Sequence, residues 1–260
     1  MTQHFTQVGP MARFVDDLIL TLPIIAGVDW RDPAIVAVPL GDPKAVDLKR
    51  LRVAFHTDNG IMTPTPEIIA TVQEAARALS SAGAAVQEAR PPGLDQTLEV
   101  AGTVFVGDGG AWVRRLLQKY GTTETHPLMK DNFTEKVPVA DFTDAAERLD
   151  VARSTMLAFL EKYDAIVAPV TAVPAVPHGA SQDEKIARAF TYTYLYNPSG
   201  WPGVVVRGGT SPEGLPIGMQ VLARPWREDV ALAVARHLET VLGGWRPPPM
   251  VGRLSAPTGG

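Results

Sequence analysis

The chain has 260 residues, 45% hydrophobic and 20% charged, with a formal net charge of −4; that length buries about three-quarters of the unfolded surface, in one large domain or two small ones. It contains no cysteine, which excludes disulfides, thiolate zinc sites and a cysteine nucleophile. Its basic clusters are no longer than the pairs Lys49-Arg50 and Arg114-Arg115, which argues against a nucleic-acid partner.

Residues 11–27 are predicted to form a helix, with Val15, Leu18, Ile19, Leu22 and Ile25 on one face and Gly27 as its stop. Pro23 removes a donor and should kink its last turn. The apolar run over 18–28 is too short to span a bilayer, and Asp16 and Asp17 precede it where a signal peptide carries positive charge. No targeting segment is read, so a cytoplasmic location is expected. Residues 29–48, rich in Pro and Asp, read as loop.

A strand over 51–56 precedes a helix opened by Thr65 as N-cap, Pro66 at the first position and Glu67 at the positive end of the dipole. Its inward face is Ile68, Ile69, Val72, Ala75, Ala76 and Leu79, and Gly83 ends it before a strand over 84–89. Strand, helix and strand imply a βαβ crossover with parallel pairing. Residues 94–120 read as two helices broken near 107–110. Gly107-Asp108-Gly109-Gly110 lacks the Lys-Ser/Thr of a phosphate loop, so a helix break is the better reading. Residues 122–140 lack a period and read as an exposed excursion, with Glu124, Asp131, Glu135, Lys130 and Lys136 solvated.

Residues 141–163 carry a helical stripe of Ala145, Leu149, Ala152, Met156, Phe159, Leu160 and Tyr163, with Asp141 or Thr143 as cap. A short buried strand over 165–170 runs into the Pro-rich 169–177 segment, and residues 182–195 read as a helix. Val204-Val205-Val206 and the run over 217–222 flank a turn containing Pro212 and Gly214, giving an antiparallel hairpin. A last helix spans 228–242, with Val230, Val234, Leu238 and Val241 inward, and residues 243–260 read as a surface tail. The alternation gives an α/β fold with a mixed sheet flanked by helices.

Two stretches carry a resemblance. Asn197-Pro198-Ser199-Gly200-Trp201-Pro202, the Val-rich strand and Gly214-Leu215-Pro216-Ile217-Gly218-Met219-Gln220 resemble the C-terminal part of amidase signature enzymes. Gly9-Pro10-Met11-Ala12-Arg13, with Asp17 and Ala26-Gly27, resembles the segment after that family's catalytic core. The chain departs from the pattern at Phe14, where relatives carry Ser or Thr, and at Arg207, where they carry Pro. A charge at 207 implies added solvent or a partner carboxylate.

The resemblance implies amide hydrolysis by a Ser–cisSer–Lys triad, in which a lysine acts through a bridging serine on the nucleophile and backbone N–H groups bind the oxyanion. No residue matches those three positions. Ser80-Ser81 is the only serine pair and falls at a helix end, and Gly209-Thr210-Ser211-Pro212-Glu213 lacks the second glycine of a nucleophile elbow. The five histidines, His4, His56, His126, His178 and His237, have no metal spacing, and His237 reads as solvated or capping. The expectation is a single partial amidase-like domain over 1–260 with no catalytic residue, metal or cofactor, inactive alone. Asn197, Trp201 and Pro202 are the candidate substrate-binding residues, with turn-making and sheet packing as their competing roles. A small amide substrate is expected only if an N-terminal half completes the site, and a partner chain or homo-oligomer is expected because removal of that half exposes a sheet edge.

Overall fold

The computed structural model describes residues 5, 8–33, 35–125, 133 and 136–248. Strands β1 (Arg52–Phe55), β2 (Ala85–Glu88), β3 (Ala165–Pro169), β4 (Gly203–Thr210) and β5 (Pro216–Ala223) form one sheet in the order β2-β1-β3-β5-β4. β1 pairs in parallel with both β2 and β3, while β5 runs antiparallel to β3 and β4. The mixed sheet, the βαβ unit and the late hairpin expected from sequence are all present. β3 is buried at every position, as an apolar strand covered on both faces must be.

The period of two sorts its side chains. Val167 joins Val53, Met219 and Val221 on one face, while Ile166 joins Ala54 and Leu222 on the other. The first face is covered by α1 (Val15–Ile25), α2 (Pro66–Ser81) and α8 (Glu228–Leu242), through Val15, Val72, Leu79, Val230, Val234 and Leu238. The second is covered by α5 (Val139–Phe159) and by residues 188–202, through Met156, Leu160, Leu195, Tyr196 and Trp201. Helices α3 (Leu94–Val106) and α4 (Ala111–Tyr120) break where the glycines fall. Asp108 accepts from the N–H groups of Gly110 (2.9 Å) and Trp112 (2.8 Å), so that break caps the following helix.

Several local expectations need correction. Thr65 sits at the N-cap of α2, but its Oγ1 is buried with no hydrogen-bond partner among the described residues. The Ile68 N–H goes instead to the Thr65 carbonyl (3.0 Å), which also accepts the first regular helical bond from Ile69 N–H (3.1 Å). α5 begins at Val139 after Pro138, so neither Asp141 nor Thr143 caps it, and the Thr143 hydroxyl bonds back to the Ala140 carbonyl. Residues 182–195 form no continuous helix: α6 (Glu184–Ala187) and α7 (Thr191–Tyr194) are single turns separated by a 3₁₀ turn. Ile25 and Val241 face outward, Val241 being 54% exposed because Leu242 takes the inward position. Of the excursion over 122–140, residues 126–132, 134 and 135 lie outside the described residues and its last two residues open α5; the tail over 243–260 is described only through residue 248.

α1 lacks a capping side chain, as Phe14 implies, and receives one from a distance. Both carboxylate oxygens of Glu239 accept from the Val15 N–H at 3.1 Å, which joins α8 to the start of α1. Glu239→Ala is expected to cost about 1 kcal/mol. Amide exchange at Val15 should accelerate while the centre of α8 stays protected; unchanged exchange at Val15 would refute the cap.

Candidate functional site

The carboxyl ends of β1, β2 and β3 point the same way, the side where open α/β sheets hold their ligands. Residues 188–202 lie across the ends of β1 and β3, held by a buried polar network. His56 follows β1 directly and is 3% exposed. Its Nδ1 lies 3.1 Å from the Asp58 carbonyl, which can only accept, so the ring proton sits on Nδ1. Nε2 then accepts from the Tyr196 hydroxyl at 2.8 Å. Burial lowers the His56 pKa to about 4, with the nearby Arg90 guanidinium adding to the effect, and it raises that of the Tyr196 phenol. Both groups are therefore neutral at physiological pH.

Asn59, almost fully buried, extends the network: Nδ2 donates to Thr191 Oγ1 (2.9 Å), while Oδ1 accepts from Ile61 N (2.9 Å) and Met62 N (3.2 Å). The Tyr192 hydroxyl donates to the Met62 carbonyl (2.8 Å) and accepts from Asn59 N (3.2 Å). From β5, Gln220 Nε2 donates to the carbonyls of Pro169 (2.7 Å) and Tyr192 (2.9 Å). These groups satisfy one another and fix the loop; none is left to act as a base.

The three candidate binding residues lie in this loop. Asn197 is half-buried at the start of a 3₁₀ turn that Gly200 closes at φ +68, a conformation that favours glycine. The Asn197 carboxamide has no hydrogen-bond partner among the described residues. Trp201 is 8% exposed and packs with Tyr196, ring centroids 6.2 Å apart, on the second face of the sheet. Pro202 is half-buried, and its carbonyl accepts from Ala223 N at 3.0 Å. A cavity of about 170 Å³ opens beside Asn59, Gly60 and Arg90 at the same end of the sheet.

Sequence reasoning missed His56, Asn59, Tyr192, Tyr196 and Gln220 as one unit. The available signal was the alternating tyrosines of Thr191-Tyr192-Thr193-Tyr194-Leu195-Tyr196, too many hydroxyls for a core segment without buried partners.

No serine among the described residues has the surroundings of a nucleophile. Ser80 and Ser81 stand at the end of α2, where no lysine or histidine bonds either hydroxyl. Ser199 Oγ donates to the Tyr196 carbonyl (2.6 Å) and accepts from Trp201 N (3.2 Å), the bonds of a turn. Ser211 Oγ donates to Glu213 (2.7 Å), and that bond holds the Glu213 carboxyl below its usual range, where it is a poor base. His237 Nε2 lies 3.4 Å from the Ala78 carbonyl near the end of α2. Arg207 finds no carboxylate among the described residues: its guanidinium donates to the Gly244 carbonyl (3.1 Å) and to the Thr210 hydroxyl.

Known proteins resemble this chain in sequence and fold. The chain is 27% identical over 256 residues to an acylamidase of Rhodococcus erythropolis, covering 90% of this chain and 52% of that protein. It is 29% identical over 265 residues to a glutamyl-tRNA(Gln) amidotransferase subunit of Koribacter versatilis, covering 90% of this chain and 55% of that protein. The solved structure of 6-aminohexanoate cyclic dimer hydrolase superposes with a TM-score of 0.75 at 24% identity, over 92% of this chain and 56% of that one. The chain thus spans about half the length of the curated relatives it matches. The family model described as Amidase matches residues 1–232, and the chain belongs to the amidase signature family.

Proposed function

We propose that this chain is the C-terminal portion of an amidase and hydrolyses C–N amide bonds only when a Ser–cisSer–Lys half is supplied to it. One observation carries the reading: a family match over residues 1–232 falls on a chain in which no described serine hydroxyl bonds a lysine or histidine. With no attacking group held in place among the described residues, the chain alone is inactive on this reading. In the completed site, Asn197, whose carboxamide is unpartnered among the described residues, Trp201 and Pro202 form part of the wall around a small amide substrate. Of the three, Asn197 makes the direct contact, and Trp201 and Pro202 hold the wall in place.

The surface supports a second reading, a non-catalytic module that pairs with a separate catalytic chain. β4 is an edge strand carrying Val205 at 56% exposed. The outer face of α1 presents Leu20 and Ile24, 71% and 77% exposed, close in sequence to the exposed Trp30. An open edge beside apolar helix surface is what a removed neighbour leaves behind. The Koribacter versatilis relative is itself one subunit of an amidotransferase. We place the assembly in the cytoplasm; no helix among the described residues is long and apolar enough to cross a membrane.

Mixing the purified chain with a separately produced N-terminal half of an amidase, bearing the serine pair and lysine, tests both readings. The expected result is a one-to-one complex with amide turnover that neither part has alone. A complex without turnover favours the non-catalytic module, and a stable monomer that ignores the added half contradicts both.

A further inference from the structure

On the opposite face of the sheet from the His56 network, a groove of about 640 Å³ runs between the start of α1, the β4–β5 hairpin and residues 245–248. Three arginines line it, Arg13, Arg207 and Arg246. They are brought together by contacts rather than by sequence. Arg207 Nη1 donates to the Gly244 carbonyl at 3.1 Å, two residues before Arg246, and the Arg13 guanidinium stacks 4.9 Å over the Trp245 ring. None of the three pairs with a carboxylate among the described residues. Glu239 lines the same groove, but both its oxygens are turned to the Val15 N–H at the positive end of α1. Asp16, one residue further along α1, is taken by Arg236 at 2.7 Å.

The groove therefore gathers three positive charges against one committed negative one. Burial and the neighbouring Arg246 hold the Arg207 guanidinium below its ordinary pKa, the response of a cation near a like charge with no counter-ion. The walls between the arginines are apolar: Phe14, Leu18, Val205, Leu215 and Trp245. The volume falls in the range of small-molecule sites, and guanidiniums present paired donors in the geometry a carboxylate accepts.

We propose that this groove binds a small organic carboxylate, its acid group between Arg207 and Arg246 and its apolar body against Trp245 and Leu215. Recognition needs both parts: the arginines select the anion, and the aromatic and aliphatic wall selects a body of several carbons over a bare ion.

Calorimetric titration of the full 260-residue chain with 4-phenylbutyrate tests this, with 4-phenylbutyramide, acetate and inorganic phosphate as comparison probes. The acid should bind saturably, and the isosteric amide about tenfold or more weaker, because it loses the charge-assisted bonds. Arg207→Gln and Arg246→Gln should weaken the acid by a similar factor, and Arg207→Lys by less, since it keeps the charge and loses the fork. The amide comparison needs no variant, so it stands even if a variant fails to fold. The proposal is overturned by absent saturation, by equal binding of acid and amide, or by acetate or phosphate binding as well as the acid. It is also overturned if the chain self-associates so that Trp245 is shielded from a soluble quencher.

Discussion

Trp201→Ala is expected to destabilise the chain by about 3–5 kcal/mol, the cost of truncating a buried aromatic and leaving its volume empty. Trp201 is 8% exposed and packs in one cluster with Ile166 of β3, Leu222 of β5, Met156 of α5, and Tyr196. Removing the indole also frees the loop that Tyr196 ties to His56, so urea unfolding should lose cooperativity near that end of the sheet. Trp201→Phe, which keeps a ring, should cost less than half as much. A Trp201→Ala protein as stable as the parent would mean the indole faces a ligand rather than the core. In that case Asn197 would no longer be the principal contact of the substrate wall.

The second large effect is one of pH. His56 is neutral in the folded chain, with a pKa lowered to about 4 chiefly by burial, against an ordinary value near 6.5 in the unfolded chain. Between those values the unfolded state binds the extra proton and the folded state does not. Stability is therefore complete above about pH 6.5 and falls as the pH drops toward 4, by an amount on the order of 3 kcal/mol. Asp58 and Arg90, the charged groups nearest the ring, act in opposite senses, so burial sets the sign. Denaturation midpoints measured between pH 7 and 4 should show this slope, and His56→Gln should flatten it while losing the bond to Tyr196. An unaltered slope in His56→Gln would assign the acid sensitivity elsewhere.

The parts of the fold legible in the sequence are those where local period and tertiary burial agree. The helix of residues 228–242 and the hairpin before it follow from apolar spacing and turn residues, and the glycines at 107–110 mark their helix break. The continuous helix expected over 182–195 does not form. Ala189, Tyr192 and Leu195 are buried at helical spacing, but the helix-forming carbonyls are claimed from outside. Ala172 N takes the Ala189 carbonyl (2.9 Å) and Gln220 takes that of Tyr192 (2.9 Å), so the backbone bends between single turns. Those donors lie well outside the segment in the chain, beyond any local pattern.

The same limit governs the sites. The Asn197–Pro202 loop is visible as a motif, whereas the His56 network and the arginine groove are assembled from residues scattered along the chain. Close packing of the hairpin is equally non-local. Gly209 sits where a Cβ would collide with Thr71 Oγ1 on α2, which explains a glycine there that turn chemistry alone does not demand.

In this reading the nucleophile and its base come from outside the chain. Steady-state hydrolysis of aryl and alkyl amides by the purified 260-residue protein measures that directly. The expected rate is that of buffer alone, with or without Ser80→Ala and Ser81→Ala. Turnover well above buffer that survives both substitutions would place a catalytic site within these residues and contradict the proposal.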